Sequence, residues 1–346
     1  MPAAGWLRSA RTLRIGARVL LARARHQAVP PSITFILTHR CNFRCTYCDI
    51  PAAAADELST AEWCAALDDL AAHGLARASF SGGEALLRED AVDVIAHARS
   101  LGLQTSLNSN GWFTAATLAH LAPHLDLLVL SVDGPRAVHD DLRRRPGSFD
   151  RVLAAIVDAR RLGLPVATIT VLTPQTLAVV EPVLEMARHW GFFAYFQPAH
   201  ADCFDRAPGL DPGLDGRILR DVAVRLRAAR GQGLPVGASP GYLDRLERAP
   251  HFSRCEDCAA GRWFATVMPD GTCVPCHLTS QQRVWPNGRQ VGFVRALAHL
   301  PRPLPGDGCA ISPYVESDLL FGLDPRAMAA AVQRLRGAPV PAPIHG

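Results

Sequence analysis

The sequence predicts an α/β protein built on one parallel sheet. Six strand-like runs, each mostly apolar, alternate with amphipathic helical runs over roughly 200 residues. Apolar strands of this kind are typical of parallel strands buried on both faces, and the alternation is typical of βα repeats. The pattern alone is compatible with an open doubly wound sheet or with a barrel. The strand-like runs span 32–38, 77–81, 104–108, 127–131, 165–172 and 193–198.

The N-terminal segment 1–30 differs in composition from the βα repeats, because it is rich in arginine and has no acidic residue. Apolar residues within 13–24 share one helical face, which predicts a basic amphipathic helix ending at Pro30 and Pro31. Such a helix can lie on an anionic membrane surface or cap the open bottom of a barrel. Its apolar run is too short for a signal peptide or a spanning helix.

A tight loop after the first strand-like run supplies three cysteines, Cys41, Cys45 and Cys48, at C-x3-C-x2-C spacing. Iron–sulfur clusters are held by cysteine thiolates, usually four per cubane. The next cysteine, Cys64, lies in a helical pattern that opens with the capping string Ser59-Thr60-Ala61-Glu62. It is expected to be a buried small hydrophobe. A cubane held by three cysteines leaves one iron open to a small molecule. A structural zinc site or a redox thiol pair is the alternative, although structural zinc sites are closed by four ligands.

The cysteine loop resembles the signature of the radical S-adenosylmethionine (radical SAM) enzymes, including the aromatic Tyr47 before the last cysteine. In that family the open iron of a [4Fe–4S] cluster chelates the amino and carboxylate groups of SAM. The resemblance implies a partial (β/α)6 TIM-type barrel that is open on one side. It also implies reductive cleavage of SAM to a 5′-deoxyadenosyl radical, which removes hydrogen from the substrate. An electron donor such as flavodoxin or ferredoxin is the implied partner.

Two strand ends resemble the motifs of the family that line the SAM site. Ser81-Gly82-Gly83-Glu84 resembles the GGE motif, whose backbone binds the SAM amino group. Paired glycines let the backbone approach a ligand closely and present its N–H and C=O groups. Ser109 and Asn110 resemble the Thr-Asn-Gly turn of the family, with serine replacing threonine. Barrels of this kind hold their chemistry at the carboxyl ends of the strands, where both motifs lie.

The end of the fourth strand-like run and the segment after it supply the expected ligands of the SAM carboxylate. In SPASM-type members a serine and an arginine grip this group, and the resemblance assigns those roles to Ser131 and Arg143. The arginine fork suits a carboxylate, which it binds in two places. Arg144 and Arg145 are adjacent, so the assignment within this triplet stays open.

The C-terminal third contains a second group of cysteines, with a Pro-Asp-Gly turn that predicts a β-hairpin at 262–276. A zinc ribbon would use the pairs Cys255–Cys258 and Cys273–Cys276. The spacing from Cys258 through Gly271 to Cys276 instead resembles the start of a SPASM/twitch extension with an auxiliary [4Fe–4S] cluster. That resemblance, which we favour, makes Cys255, Cys258, Cys276 and Cys309 the ligands and leaves Cys273 spare. Only Cys309 follows Cys276, so the one-cluster twitch form fits better.

Composition excludes several functions. With 346 residues and 49% hydrophobic content, the chain can bury a large core. All 36 basic residues are arginine, so a Schiff-base lysine and the pyridoxal phosphate-dependent aminomutase branch are excluded. A net charge of +4 is too small and dispersed to indicate nucleic acid. Clustered cysteines without a secretory signal predict a reducing cytoplasm, with peripheral contact at the inner face of the membrane through 1–30 as an option.

The predicted organisation is an N-terminal helix at 1–30, a radical SAM barrel at 31–235 and a twitch-like domain at 236–346. The substrate is not identified. No peptide-docking domain is visible, which favours a small molecule or lipid over the alternative, a ribosomal peptide modified by a SPASM-type maturase. A non-enzymatic iron–sulfur or zinc protein is a distant alternative. Candidate residues facing the substrate cavity are Gln197, His200, Cys203, Cys273 and His277.

Overall fold

A single eight-stranded sheet organises the molecule. The computed structural model describes residues 16–17, 21, 24, 28–48, 50, 56–199, 214–248, 258–280, 283–300, 304 and 309–335. Six parallel strands follow one another in chain order and form the predicted partial (β/α)6 barrel. They are β1 (Ser32–Thr38), β2 (Arg77–Gly82), β3 (Gln104–Ser109), β4 (Leu127–Ser131), β5 (Val166–Leu172) and β6 (Phe193–Pro198).

Helices alternate with these strands and then continue beyond them. The first helix begins at the predicted cap, where Ser59 and Glu62 form a reciprocal capping box. The helices are α1 (Thr60–Ala72), α2 (Ala91–Ser100), α3 (Ala115–Leu121), α4 (Arg136–Leu142), α5 (Ser148–Arg161), α6 (Val180–Trp190), α7 (Gly216–Gly231), α8 (Pro240–Glu247), α9 (Gly288–Val291), α10 (Phe293–Ala298), α11 (Ser312–Phe321) and α12 (Pro325–Leu335). Short 3-10 helices lie at Ala85–Leu87, Ala122–His124, Pro174–Val179 and His277–Thr279.

The core lies between the sheet and the helices that cover it. Alternate residues of β1, including Ile33 and Phe35, are fully buried, as the period of a strand requires. The Phe35 ring stacks on Phe80 of β2 at 5.7 Å and meets Trp63 of α1 edge-on at 6.0 Å. Aromatic pairs of this kind stabilise the sheet–helix contact by about 0.5–1.5 kcal/mol each beyond their buried area.

The predicted hairpin is present and extends the barrel sheet. Its strands are β7 (Phe264–Val267) and β8 (Cys273–Val274), which pair antiparallel. The turn holds Gly271 at φ +88, and Thr272 donates to the Asp270 carboxylate. Strand β7 pairs in parallel with β1, so the sheet order is β6-β5-β4-β3-β2-β1-β7-β8. The hairpin that carries Cys273 is therefore hydrogen-bonded to β1, the strand that leads into the loop of Cys41, Cys45 and Cys48.

The N-terminal amphipathic helix predicted at 1–30 lies almost entirely outside the described residues, so its membrane contact stays a prediction. Among the helices that the structure describes, none has the length and apolar composition needed to cross a membrane.

Candidate functional site

The loop that carries Cys41, Cys45 and Cys48 leaves the carboxyl end of β1 and is only partly exposed. The Thr46 N–H donates to the Leu142 carbonyl at 2.8 Å, which ties the loop to the end of α4. Phe43 is buried between the first two cysteines and packs edge-on against Trp112, with ring centroids 5.8 Å apart. Chain segments far apart in sequence therefore fix the loop.

The turn at Gly82 and Gly83 packs directly against the chain that enters the cysteine loop. A Cβ at Gly82 would lie 2.4 Å from the Thr38 carbonyl oxygen, and one at Gly83 would lie 2.3 Å from that of Arg40. The N–H groups of Gly83 and Glu84 donate to those same two carbonyls at 2.8 Å. Because these N–H groups are engaged, the turn can offer a ligand its carbonyl oxygens, which are acceptors suited to an ammonium group.

The Glu84 side chain joins the ends of β2 and β3. Its buried carboxylate accepts from the Ser109 hydroxyl at 3.0 Å and from the Asn110 N–H at 2.8 Å. Burial raises the pKa of Glu84, while these donors act to lower it. The Asn110 amide in turn donates to the Asn42 side chain at 2.8 Å, within the cysteine loop. The hydrogen bonds among Glu84, Ser109 and Asn110 thus connect the ends of β2 and β3 to the cysteine loop through Asn42.

Asp133, which the sequence did not single out, is the centre of a second network. Its fully buried carboxylate accepts from the Tyr47 hydroxyl at 2.5 Å and from Arg143 Nε at 2.8 Å on one oxygen. The other oxygen accepts from the Val171 N–H at 3.0 Å. The Arg143 guanidinium lies 5.7 Å from the centre of the Tyr47 ring, and its charge acts to lower the pKa of Cys45 against the effect of burial. Its Nη end is not engaged by Asp133.

Two neighbours complete this region. His139 Nδ1 accepts the Asp133 N–H at 3.1 Å, and burial together with Arg143 lowers the pKa of His139 to about 4. The imidazole is therefore neutral near pH 7. Ser131 lies at the carboxyl end of β4, opposite Ile169 of β5, and is partly exposed.

The cysteine loop suits an iron–sulfur cluster chemically. Within the described ranges, no three His, Cys, Asp or Glu side chains converge as ligands of a single metal ion. Convergence is not needed in a cubane, where each thiolate binds a different iron. The Phe43 N–H lies 3.4 Å from Cys41 Sγ, and such donors tune cluster sulfurs. Burial raises the pKa of the Cys41 and Cys45 thiols, so a metal's charge must supply their ionisation.

The second cysteine group divides into two parts. Burial and the neighbouring thiols of Cys309 and Cys258 raise the pKa of Cys276 to about 12. Cys273 lies apart from these three, with Sγ 3.6 Å from the Gly271 carbonyl oxygen and its pKa raised by burial to about 12. Cys255 lies outside the described residues. Cys258 and Cys309, two of the cysteines expected for a twitch cluster, therefore lie near a third, Cys276.

The candidate cavity residues have varied surroundings. Gln197 accepts the Ser312 N–H at 3.2 Å, next to the start of α11, and His277 Nδ1 meets the Tyr314 hydroxyl. Cys273 is fully buried, and His200 and Cys203 lie outside the described residues. Gln197 and His277 therefore form hydrogen bonds that join α11 to other segments of the chain.

Sequence comparison places the chain among known proteins. The sequence profile of the radical SAM superfamily matches residues 35–187. The chain is 30% identical over 312 residues to the PqqA peptide cyclase of Xanthomonas campestris pv. campestris, covering 80% of each protein. It is 28% identical over 254 residues to the sporulation killing factor maturation protein SkfB of Bacillus subtilis, covering 72% of this chain and 61% of that protein.

Solved structures share the fold. Streptococcus suis SuiB bound to S-adenosylmethionine superimposes with a TM-score of 0.66 at 15% identity, covering 79% of this chain and 67% of SuiB. The structure of anSMEcpe with bound AdoMet and the Kp18Cys peptide gives a TM-score of 0.60 at 15% identity, covering 88% of this chain and 99% of anSMEcpe. At these identities the similarity supports the partial-barrel fold.

Proposed function

Because this chain belongs to the radical SAM superfamily of enzymes, we propose that it modifies a peptide substrate by radical chemistry. Membership makes it an enzyme that uses SAM and a [4Fe–4S] cluster, as predicted. The observation that carries the proposal is the match to a peptide cyclase over 80% of both chains. The sequence alone favoured a small molecule or lipid. The relatives support the peptide alternative better, since SkfB is also named as a maturation protein.

Cys41, Cys45 and Cys48 are the proposed ligands of the SAM-binding cluster. A one-electron-reduced cluster bound there would cleave SAM to methionine and a 5′-deoxyadenosyl radical, and this radical would take a hydrogen atom from the peptide. The chain's own residues position this chemistry. The Arg143 charge favours the Cys45 thiolate, and the Asp133 carboxylate binds Arg143 and Tyr47 beside the loop. Outer contacts of this kind orient ligands and tune a metal site.

The proposed SAM site lies where the turns after β2, β3 and β4 meet the cysteine loop. The carbonyl oxygens of Gly82 and Gly83 are the acceptors for the SAM ammonium group, because the neighbouring N–H groups are engaged. The Nη end of Arg143 is the proposed donor for the SAM carboxylate, and Ser131 at the end of β4 is its proposed partner. Glu84 holds the turns in register and does not face the ligand in this proposal.

An auxiliary [4Fe–4S] cluster, known in SPASM-type members of the family, is proposed at Cys255, Cys258, Cys276 and Cys309. Support comes from Cys276, whose pKa is raised by burial and, in addition, by the neighbouring thiols of Cys309 and Cys258. The separate position of Cys273 disfavours the zinc ribbon, which needs Cys273 and Cys276 as a pair.

The test uses anaerobically reconstituted protein with SAM and dithionite. We expect 5′-deoxyadenosine to form, Cys45→Ala to abolish it, and Cys64→Ala, on a helix outside the loop, to retain it. Formation of 5′-deoxyadenosine by Cys45→Ala would refute the assignment of Cys45 as a ligand of the SAM-binding cluster.

The substrate class is tested with short peptides encoded beside the gene. A deuterated peptide should transfer deuterium into 5′-deoxyadenosine and change mass. Transfer from a small molecule or lipid, with none from any peptide, would replace the peptide proposal.

A further inference from the structure

Four exposed arginines border the cysteine loop. Arg44 lies within the loop, and its Nη1 donates to the Cys41 and Phe43 carbonyls at 2.8 Å. Arg144 and Arg145 follow α4, whose Leu142 carbonyl accepts the Thr46 N–H. The fourth, Arg151, projects from the first turns of α5. We call Arg44, Arg144, Arg145 and Arg151 the arginine face.

An aromatic ring lies beneath this face. The guanidinium carbons of Arg145 and Arg151 lie 4.5 Å and 5.4 Å from the centre of the Trp112 ring. Trp112 packs against Phe43, which lies between two of the proposed cluster ligands. A continuous path of contacts therefore joins the arginine face to the cysteine loop.

No carboxylate of the part of the chain described here forms an ion pair with these four guanidinium groups. Some exposed arginines do pair, as Arg136 does with Asp150 and Arg161 with Asp158, whereas Arg145 and Arg151 share the Trp112 ring with no carboxylate of the described residues between them. Clustered like charges destabilise a folded protein. Arg144 also adopts a left-handed φ of +48, which is strained for a residue with a side chain. An unneutralised and strained cluster of this kind calls for an anionic partner.

We infer that the arginine face is the docking surface for a small acidic one-electron carrier protein, which reduces the cluster. The inference rests on the cluster site proposed above. Electron transfer weakens steeply with distance, so the carrier must dock beside the cysteine loop, where the arginine face lies. Arginine and tryptophan are the residues that most often anchor protein interfaces. Complementary charge would speed the encounter and make it sensitive to salt.

The test compares two reductants on one enzyme. The double variant Arg145→Glu/Arg151→Glu is matched by Arg248→Glu/Arg295→Glu, which makes the same change in net charge at exposed arginines that form no ion pair with the described residues. Arg248 follows α8 and Arg295 lies on α10. The rate of 5′-deoxyadenosine formation is measured with NADPH, flavodoxin reductase and flavodoxin, and separately with dithionite.

We expect the first variant to lose on the order of tenfold in the flavodoxin-driven rate at low salt. Its salt dependence should flatten, its dithionite-driven rate should equal that of wild type, and the control variant should behave as wild type with both reductants. An unchanged flavodoxin-driven rate would overturn the inference. Equal losses with both reductants would also overturn it, because the arginines would then support the loop itself.

An acidic peptide is the competing partner. If the variant loses peptide modification while its flavodoxin-driven cleavage of SAM is unchanged, the face binds substrate and the inference is overturned. Absence of dithionite-driven cleavage in the wild-type protein would overturn the proposed function, and this inference with it.

Discussion

Replacing Asp133 with asparagine tests whether its charge supports the cysteine loop. The two carboxylate oxygens accept from three donors, namely the Tyr47 hydroxyl, Arg143 Nε and the Val171 N–H. An asparagine has one acceptor oxygen, so in either orientation its NH2 group faces Arg143 Nε or the Val171 N–H. The substitution keeps the shape of the side chain, leaves at least one donor unsatisfied and removes the counter-charge of a buried guanidinium.

The magnitude follows from the burial of the pair. The side chains of Asp133 and Arg143 are 0% and 8% exposed. Removing one partner of a buried ion pair costs about 3–5 kcal/mol. Since whole domains are stable by about 5–15 kcal/mol, a loss of this size is a large fraction of the total. Tyr47→Phe removes only one hydrogen bond to a charged group and should cost about 1.5–3 kcal/mol.

The assay is urea unfolding of the purified protein, with SAM binding measured by calorimetry. Asp141→Asn is the control, because Asp141 is an exposed acid two residues from Arg143. It should change stability by less than about 0.5 kcal/mol. The double variant Asp133→Leu/Arg143→Met removes both charges, so it should recover much of the stability lost in Asp133→Asn while binding SAM weakly.

A loss below about 1 kcal/mol in Asp133→Asn would refute the reasoning. So would a double variant that is less stable than Asp133→Asn, because the penalty would then come from packing. If Asp133→Asn does not fold, Tyr47→Phe still reports on the same carboxylate.

Three further predictions concern other parts of the site. Cys309→Ala should lose the auxiliary cluster, whereas Cys273→Ala should keep it. Iron counting and Mössbauer spectra measure the cluster in each variant. Loss of metal only in the Cys273 variant would favour the zinc ribbon. Gly83→Ala should abolish SAM binding, because its Cβ would lie 2.3 Å from a carbonyl oxygen, whereas Gly231→Ala, with nothing within 4 Å, should not. The pKa of His139 falls from 6.5 to about 4 on folding, so the unfolded chain takes the proton first and stability declines as pH falls from 6.5 towards 4. The full loss is about 3 kcal/mol at 1.36 kcal/mol per pH unit, and urea unfolding of His139→Gln at pH 7.5 and 5 should show a smaller decline.

Much of the fold follows from local patterns in the sequence. The six parallel strands appear within a residue or two of the predicted runs, because buried parallel strands need continuous apolar sequence. The capping box of α1 and the hairpin turn at Gly271 were predicted from a few adjacent residues. These features depend on backbone propensity and hydrogen bonds between near neighbours, which a single sequence records.

The remaining features depend on contacts between distant segments. Nothing local indicates that Asp133 meets Tyr47 across 86 positions, or that Asn110 donates to Asn42 across 68. The pairing of β7 with β1 likewise joins strands more than 200 residues apart. The Gly-Gly turn was expected to present N–H and carbonyl groups alike, but its N–H groups bind the incoming chain. Such contacts are set by register and twist across the sheet.

The buried Arg143 depends on Asp133, a residue that no sequence motif identifies. An enzyme that binds and releases SAM must stabilise this buried guanidinium at both stages, since an unpaired buried charge is strongly destabilising. Asp133 does so through Nε, which leaves the Nη end as the proposed donor to the SAM carboxylate. The arginine is therefore held in its binding orientation before SAM arrives, and little side-chain entropy is lost on binding. The carboxylate of Asp133 is thus the feature that lets one arginine serve both the loop and the ligand.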